Sequence, residues 1–207
     1  KSFWMVNGDM KKIILASKSP RRKELFAGLG VEFEVKVLPG IEESYPNNLP
    51  AEDVAKYIAC EKANAYKQGL QEDELVITAD TVVVVDQQVL GKPRDVIDAR
   101  RMLHLISGRS HQVVTGVCLI TKQFQRSFSV TTEVTFKDLS EQEITYYIMN
   151  YKPFDKAGAY GIQEWIGYVG VTALKGSYFN VMGLPVQRIW EEIKNEDGIN
   201  PCWENAE

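Results

Sequence analysis

Residues Lys12 to Arg22 read KIILASKSPRR, a short apolar run followed at once by the signals of a helix start. Ile13 to Ala16 have the look of a short buried strand. Ser19 suits an N-cap and Pro20 the first helical position, where a missing N–H costs nothing. Arg21 and Arg22 then fall in the first turn, beside unpaired backbone N–H groups and the positive end of the helix dipole. Cations favour the opposite end of a helix, so two at the start make sense where an anion lies between them and the amides. A phosphate fills that role, taking bonds from the amides, the guanidinium groups and the hydroxyls of Ser17 and Ser19. The same spacing also suits a capped helix with two solvated arginines.

Outward from this stretch, Leu25, Phe26 and Leu29 share a helical face and Gly30 is a stop signal. Val31 to Leu38 alternates as a half-buried strand. Pro39 to Pro50, PGIEESYPNNLP, is a loop that displays Glu42 and Glu43. Ala51 to Lys67 is helical by pattern, with Val54, Ala55, Ile58, Ala59, Ala63 and Tyr66 on its apolar side. Leu75 to Ala79 and Val82 to Val85 are strand-like runs, with Asp80 and Thr81 expected to interrupt them. Gly91, Lys92 and Pro93 close that unit. Asp95 to Ile106 reads as a helix, Val113 to Thr121 and Phe128 to Phe136 as neighbouring antiparallel strands, and Ser140 with Glu143 as a capping box. A glycine- and aromatic-rich stretch leads to a last helix over Pro185 to Lys194. Helices alternate with strands, but the middle holds hairpin-like pairs, so the expected fold class is α/β with a mixed twisted sheet and flanking helices.

The 207 residues suit one domain or two closely joined lobes. With 44% hydrophobic and 25% charged residues the composition is that of a soluble globular chain. A net charge of −4 argues against nucleic acid as a partner, and no apolar run approaches the length of a membrane span. Cys60, Cys118 and Cys202 form no CxxC pair, which points away from zinc and towards buried thiols in a reducing cytoplasm. Residues 1–10, of which Lys1 to Asp9 precede a plausible start at Met10, read as an extension outside the fold, residues 11–194 as the domain, and residues 195–207 as a loosely held polar tail with Trp203 its only large apolar anchor. No GxGxxG follows the first strand and no P-loop occurs, so the dinucleotide and Walker classes are unsupported.

A phosphate-ready helix start, acids at Glu42, Glu43 and Asp80, and lysines at Lys62 and Lys92 together suit phosphoanhydride cleavage. Anionic oxygens need neutralising, a divalent ion bridges them, and a carboxylate holds that ion or takes a proton from water. Asp80 is the preferred carboxylate, because an acid between apolar β runs must be paired or bound. A buried strand-end carboxylate paired with a lysine is the plainer reading of Asp80, as is solvated surface for Lys62 and Lys92 and loop acids for Glu42 and Glu43.

Eight segments in order carry a resemblance: SKSPRR, GIEES, EKA at Glu61 to Ala63, ADTVV, GKP, SGR followed by HQVVTGV, DKAGAYGIQ at Asp155 to Gln163, and GSYFNVMGLP at Gly176 to Pro185. From about Ile13 to Ile193 the chain resembles the Maf family of nucleoside triphosphate pyrophosphatases. The resemblance implies two lobes around a deep cleft, a homodimer, and hydrolysis of a nucleoside triphosphate to its monophosphate and pyrophosphate with Mg²⁺ or Mn²⁺. By position it makes Asp80 the proton acceptor, with Ser17, Arg22, Glu43, Lys62 and Lys92 handling phosphate and metal. Arg21, Thr81 and Gln163 match positions that mark the branch acting on dTTP and UTP, as against 7-methyl-GTP. A regulatory, nucleotide-binding role in septum formation is the reading from another class. Glu164 and Trp165 replace the small residues expected after Gln163, and would narrow a base pocket if they faced it.

Overall fold

The computed structural model describes residues 4–6, 9–194 and 199–201, with side chains described from Lys11 to Lys194. The chain opens with β1 (Trp4–Val6) and β2 (Asp9–Leu15), then α1 (Pro20–Ala27) and a two-residue β3 (Glu34–Val35). After the loop come α2 (Val54–Tyr66), β4 (Glu74–Val85), β5 (Gln88–Leu90) and α3 (Val96–Ile106). A long hairpin, β6 (Ser110–Ile120) and β7 (Gln125–Phe136), leads to α4 (Glu141–Tyr151) and α5 (Trp165–Gly170). The chain closes with β8 (Val171–Lys175), α6 (Tyr178–Met182), α7 (Val186–Ile193) and β9 (Ile199–Pro201).

One sheet runs through the molecule in the order β8-β7-β6-β4-β2-β1-β9, with β3 on β2 and β5 on β4. The pairings β2–β4 and β2–β3 are parallel and the rest antiparallel, which makes the sheet mixed as the alternation of elements implied. The capping box at Ser140 and Glu143 is formed in both directions, and Ser19 and Asp95 cap α1 and α3. All six apolar positions named on α2 are buried against the sheet.

Four local readings change. Asp80 and Thr81 do not interrupt anything: β4 is continuous over twelve residues, pairing Asp80 with Gly116 and Thr81 with Thr115 of β6. A ladder is built from backbone groups, so a polar side chain is tolerated wherever it finds its own partners. The strand expected over Val31 to Leu38 shrinks to two paired residues, and Val35 and Val37 are exposed, because beyond Leu15 there is no β2 left to pair with. β8 was not anticipated within the glycine-rich stretch. Residues 4–6 and 199–201, set outside the domain by sequence, add backbone pairing to the β2 edge; Cys202 and Trp203 lie outside the described residues.

The core divides into clusters on either side of the middle of β4. Val83, Leu90, Leu103, Ile144 and Tyr147 pack beneath α3 and α4, while Ile13, Leu15, Phe26, Ile77 and Ile189 pack beneath α1 and α7. Ile14, Ala63, Tyr66 and Cys118 fill the layer under α2, where Cys118 is the buried thiol expected and Cys60 is half-buried. β4 belongs to both halves, and its centre is where they meet.

Candidate active site

The cleft arises from a gap in strand pairing. β2 accompanies β4 only as far as Leu15 opposite Ile77, and β5 takes over the same edge at Leu90 opposite Val83. From Thr78 to Val82 no strand among the described residues covers this edge, and a cleft of about 800 Å³ opens over it. Side chains from both faces of β4 reach the opening. Asp80 emerges on the face covered by α2, and Thr81 on the face covered by α1 and α6.

On the first face Lys62 gathers the acids. It sits one turn beyond the buried Ile58 on α2, and its ammonium group lies 3.2 Å from Asp80 Oδ1, 3.2 Å from Glu43 Oε1 and 3.1 Å from the carbonyl of Ala79. Its three donors thus meet three acceptors, one of them a carbonyl on the uncovered edge. Burial pushes the Asp80 carboxyl above its ordinary value and the like charge of Glu43 adds to this, against the pull of Lys62 and Arg22. Glu43 is less deeply placed. Burial pushes it up as well, but Lys62, Lys92 and Arg22 outweigh that and hold it below the usual carboxylate range. Two neighbouring carboxylates with pKa values moved in opposite directions are the arrangement expected where one must act as a base and the other stay ionised.

α2 comes this close because Gly116, directly opposite Asp80, has no side chain. A Cβ there would lie 2.3 to 2.4 Å from backbone atoms of Ala55 and Lys56. The glycine on β6 therefore sets the height of Lys62 above the sheet.

On the second face both arginines of the helix start have partners in the protein, Arg21 remaining partly exposed. Arg22 Nε donates to the carbonyl of Gly183 at 2.7 Å, and its Nη2 donates to Thr81 Oγ1 at 3.0 Å. Arg21 reaches across the cleft to Asp155 at 3.3 Å. Burial lowers the Arg22 pKa, with Asp80 and Glu43 opposing the fall. Ser19 Oγ accepts the N–H of Arg22 at 3.3 Å, and Ser17 Oγ accepts that of Ser19 at 3.2 Å. In these bonds both hydroxyls act as acceptors.

Lys92 and Gln163 line the same cleft from the far side, Lys92 exposed and Gln163 half-buried. Ser17, Ser19, Arg21, Arg22, Glu43, Lys62, Asp80, Thr81, Lys92 and Gln163, ten residues singled out by sequence, thus share one cavity, while Glu42, named beside Glu43, does not line it. Glu164 and Trp165 do not line it. Glu164 pairs with Lys156 at 2.9 Å, and the Trp165 ring packs against Tyr146 with centroids 4.6 Å apart, so neither narrows the opening.

Several cleft residues escaped sequence reasoning. Asp155 and Lys156 stand at the mouth 3.0 Å apart, and Gly183 contributes a carbonyl that no side-chain pattern reveals. The nearness of Asp155 and Lys156 to Gln163 in sequence was the available signal. Tyr45, in the loop with Glu43, also lines the cavity.

Residues 12–196 match the family model described as Maf-like protein. The chain belongs to this family. Among relatives of this Maf-like protein, the dTTP/UTP pyrophosphatase of Phocaeicola vulgatus is 63% identical over 91% of this chain and 97% of that one. The dTTP/UTP pyrophosphatase of Bacteroides fragilis is 54% identical over 92% of this chain and 98% of that one. A looser likeness is to the Ham1 protein of Staphylococcus aureus, with a TM-score of 0.44 and 16% identity over 62% of this chain and 73% of that one.

Whether this Maf-like cleft suits a divalent ion is decided by its donors. Among the described residues no group of three His, Cys, Asp or Glu side chains converges. Two carboxylates, Glu43 and Asp80, do converge on one cationic point, the Lys62 ammonium group. A pair of hard oxygen donors in a cleft lined by arginines and lysines suits Mg²⁺ or Mn²⁺, ions that keep water and other oxygens as most of their ligands. It is too sparse for a self-contained structural metal site.

Proposed function

We propose that this protein hydrolyses dTTP and UTP, and modified pyrimidine triphosphates of the same shape, to the monophosphate and pyrophosphate. The observation that carries the reading is Asp80, a buried carboxylate with a raised pKa held by Lys62 at the floor of a cleft lined by cations. The names of the relatives support the choice of substrates, and the absence of a P-loop removes the commonest alternative for a phosphate cleft.

The triphosphate lies along Arg21, Arg22, the hydroxyls of Ser17 and Ser19, and the Arg21 amide in the first turn of α1. Asp80 takes a proton from water as it attacks the α-phosphorus, and its raised pKa makes it the stronger base of the two acids. Lys62 and Lys92 meet the charge that develops on the bridging oxygen as pyrophosphate leaves. Gln163 offers its amide N–H to a carbonyl of the pyrimidine edge. Mg²⁺ or Mn²⁺, which Glu43 and Asp80 would hold, supplies further neutralisation of phosphate charge. We place the enzyme in the cytoplasm as a homodimer, and light scattering that gave a monomer at working concentration would remove the latter.

The test is pyrophosphate release from dTTP, UTP, CTP and 7-methyl-GTP with either metal, for the wild type and Asp80→Asn. Turnover of dTTP and UTP is expected to fall by about 10²–10⁴-fold in the variant, the range for loss of a general base. Hydrolysis of 7-methyl-GTP alone would overturn the substrate assignment. Tight binding without turnover would favour the regulatory, septum-linked role instead.

A further inference from the structure

Thr115 lies in the middle of β6, fully buried, and has no part in the chemistry above. Its hydroxyl stands 2.9 Å from Thr81 Oγ1 and 3.2 Å from the backbone oxygen of Asn180. A carbonyl only accepts, so the hydrogen of Thr115 points to Asn180 and its oxygen is left to accept from Thr81. Arg22 Nη2, which only donates, approaches Thr81 Oγ1 at 3.0 Å. Thr81 therefore commits its one hydrogen inward and receives another from Arg22. The lone pair that remains to it, in the cleft wall, is an acceptor.

The direction of this relay is fixed by its surroundings. Asn180 is fully buried, and its amide nitrogen lies 3.2 Å from the Val113 carbonyl, 3.0 Å from that of Val130 and 3.0 Å from Thr132 Oγ1. The Asn180 carbonyl also accepts from Gly183 N at 3.0 Å, and the Gly183 carbonyl in turn holds Arg22. Arg22, Thr81, Thr115, Asn180 and Gly183 close into a ring of hydrogen bonds in which the hydroxyl protons of Thr115 and Thr81 each have one place to go. An acceptor facing the cleft is a poor partner for phosphate oxygens, which are acceptors themselves, and a good one for a donor on the nucleoside.

We propose that Thr115 is a positioning residue for base selection: by drawing the Thr81 proton inward, it makes Thr81 an acceptor for the N3–H that uracil and thymine carry and cytosine lacks. The inference rests on the pyrimidine nucleotide reading above and specifies how that site tells one pyrimidine from another. Cytosine presents a lone pair at N3, which would face the lone pair of Thr81. In Thr115→Val the shape is kept but the relay is cut, and the Thr81 hydrogen is free to turn into the cleft.

The experiment measures kcat/KM and, by calorimetry, Kd for UTP and CTP with the wild type, Thr115→Val and Thr115→Ser, alongside thermal midpoints. The wild type is expected to prefer UTP. In Thr115→Val the UTP-over-CTP ratio should fall by about tenfold, the equivalent of one misdirected hydrogen bond at about 1.4 kcal/mol, and Thr115→Ser should restore it. A ratio unchanged while both substrates weaken together would mark Thr115 as structural only and overturn the proposal, as would a wild type with no preference for UTP. Should Thr115→Val fail to fold, Thr81→Val removes the acceptor itself, and a wild-type ratio there is equally fatal. The binding ratio tests the relay without turnover, so a wild type that binds but does not hydrolyse would defeat the pyrophosphatase reading alone.

Discussion

At the scale of residues, the opposed shifts of Asp80 and Glu43 give the pH dependence its sign. Asp80 works ionised, so kcat/KM should fall as pH drops through its raised pKa, at a higher pH than an ordinary aspartate would give. Lys62→Met removes the ammonium group that pulls this value down, so the acid limb should move to still higher pH and the rate should drop by about 10²-fold or more. A limb that stayed in place would mean that another group titrates. The same shift bears on stability. A carboxyl whose folded pKa lies above its unfolded value holds its proton more tightly when folded, so ionising it costs stability as pH rises through that interval. Asp80→Asn should therefore melt no earlier than the wild type at pH 8, while losing activity. Asp80, Lys62 and the arginine pair were legible because each is a charged group in an apolar or helix-start setting that demands a partner. Thr115 and Asn180 were not, since a buried threonine or asparagine in a strand or short helix looks like ordinary core until its bonds are traced.

At the scale of elements, the placement of α2 against the sheet decides whether Lys62 reaches Asp80. Gly116→Ala introduces a methyl group about 2.3–2.4 Å from the backbone of Ala55 and Lys56, and no flexible side chain is there to give way. A loss of about 1–3 kcal/mol or more is expected in urea unfolding, with activity falling further than stability because Lys62 is lifted off its partners. Alanine at this position with native activity would show that α2 is less closely constrained than its packing implies. The helices were legible from their caps and apolar faces, Ser19 and Pro20 for α1 and the box at Ser140 for α4 being cases where local chemistry states the boundary. The strands were less so. β4 looked broken at Asp80 because a charged residue reads as punctuation, and β3 looked long because alternation says nothing about whether a neighbour is there to pair with.

At the scale of the whole molecule, the cleft is lined both by the apolar cluster beneath α3 and α4, through Val83 and Tyr160, and by the layer under α2, through Tyr66, and a bound nucleotide would contact both. At a concentration of about 100 times Kd, linkage should add about 2.7 kcal/mol, or a rise of about 5–10 °C in thermal midpoint for a chain of this size. No shift with UTP at that concentration would argue that the cleft is not the nucleotide site. The two lobes were not deducible from periodicity, which sees elements one at a time; they follow from β2 and β5 sharing an edge of β4 without meeting. The ring around Arg22 has a further consequence, for how the protein comes to be active. Arg22 stands near the beginning of the chain and the carbonyl that orients it, at Gly183, is 161 positions later. During synthesis the helix that carries Arg22 emerges long before α6 does, and closing so long a loop is slow relative to forming local structure. A nascent or truncated chain that stops short of α6 holds the arginine without its anchor. Refolding should therefore restore helical signal ahead of catalytic competence, so that a partly made copy is silent towards the nucleotide pool.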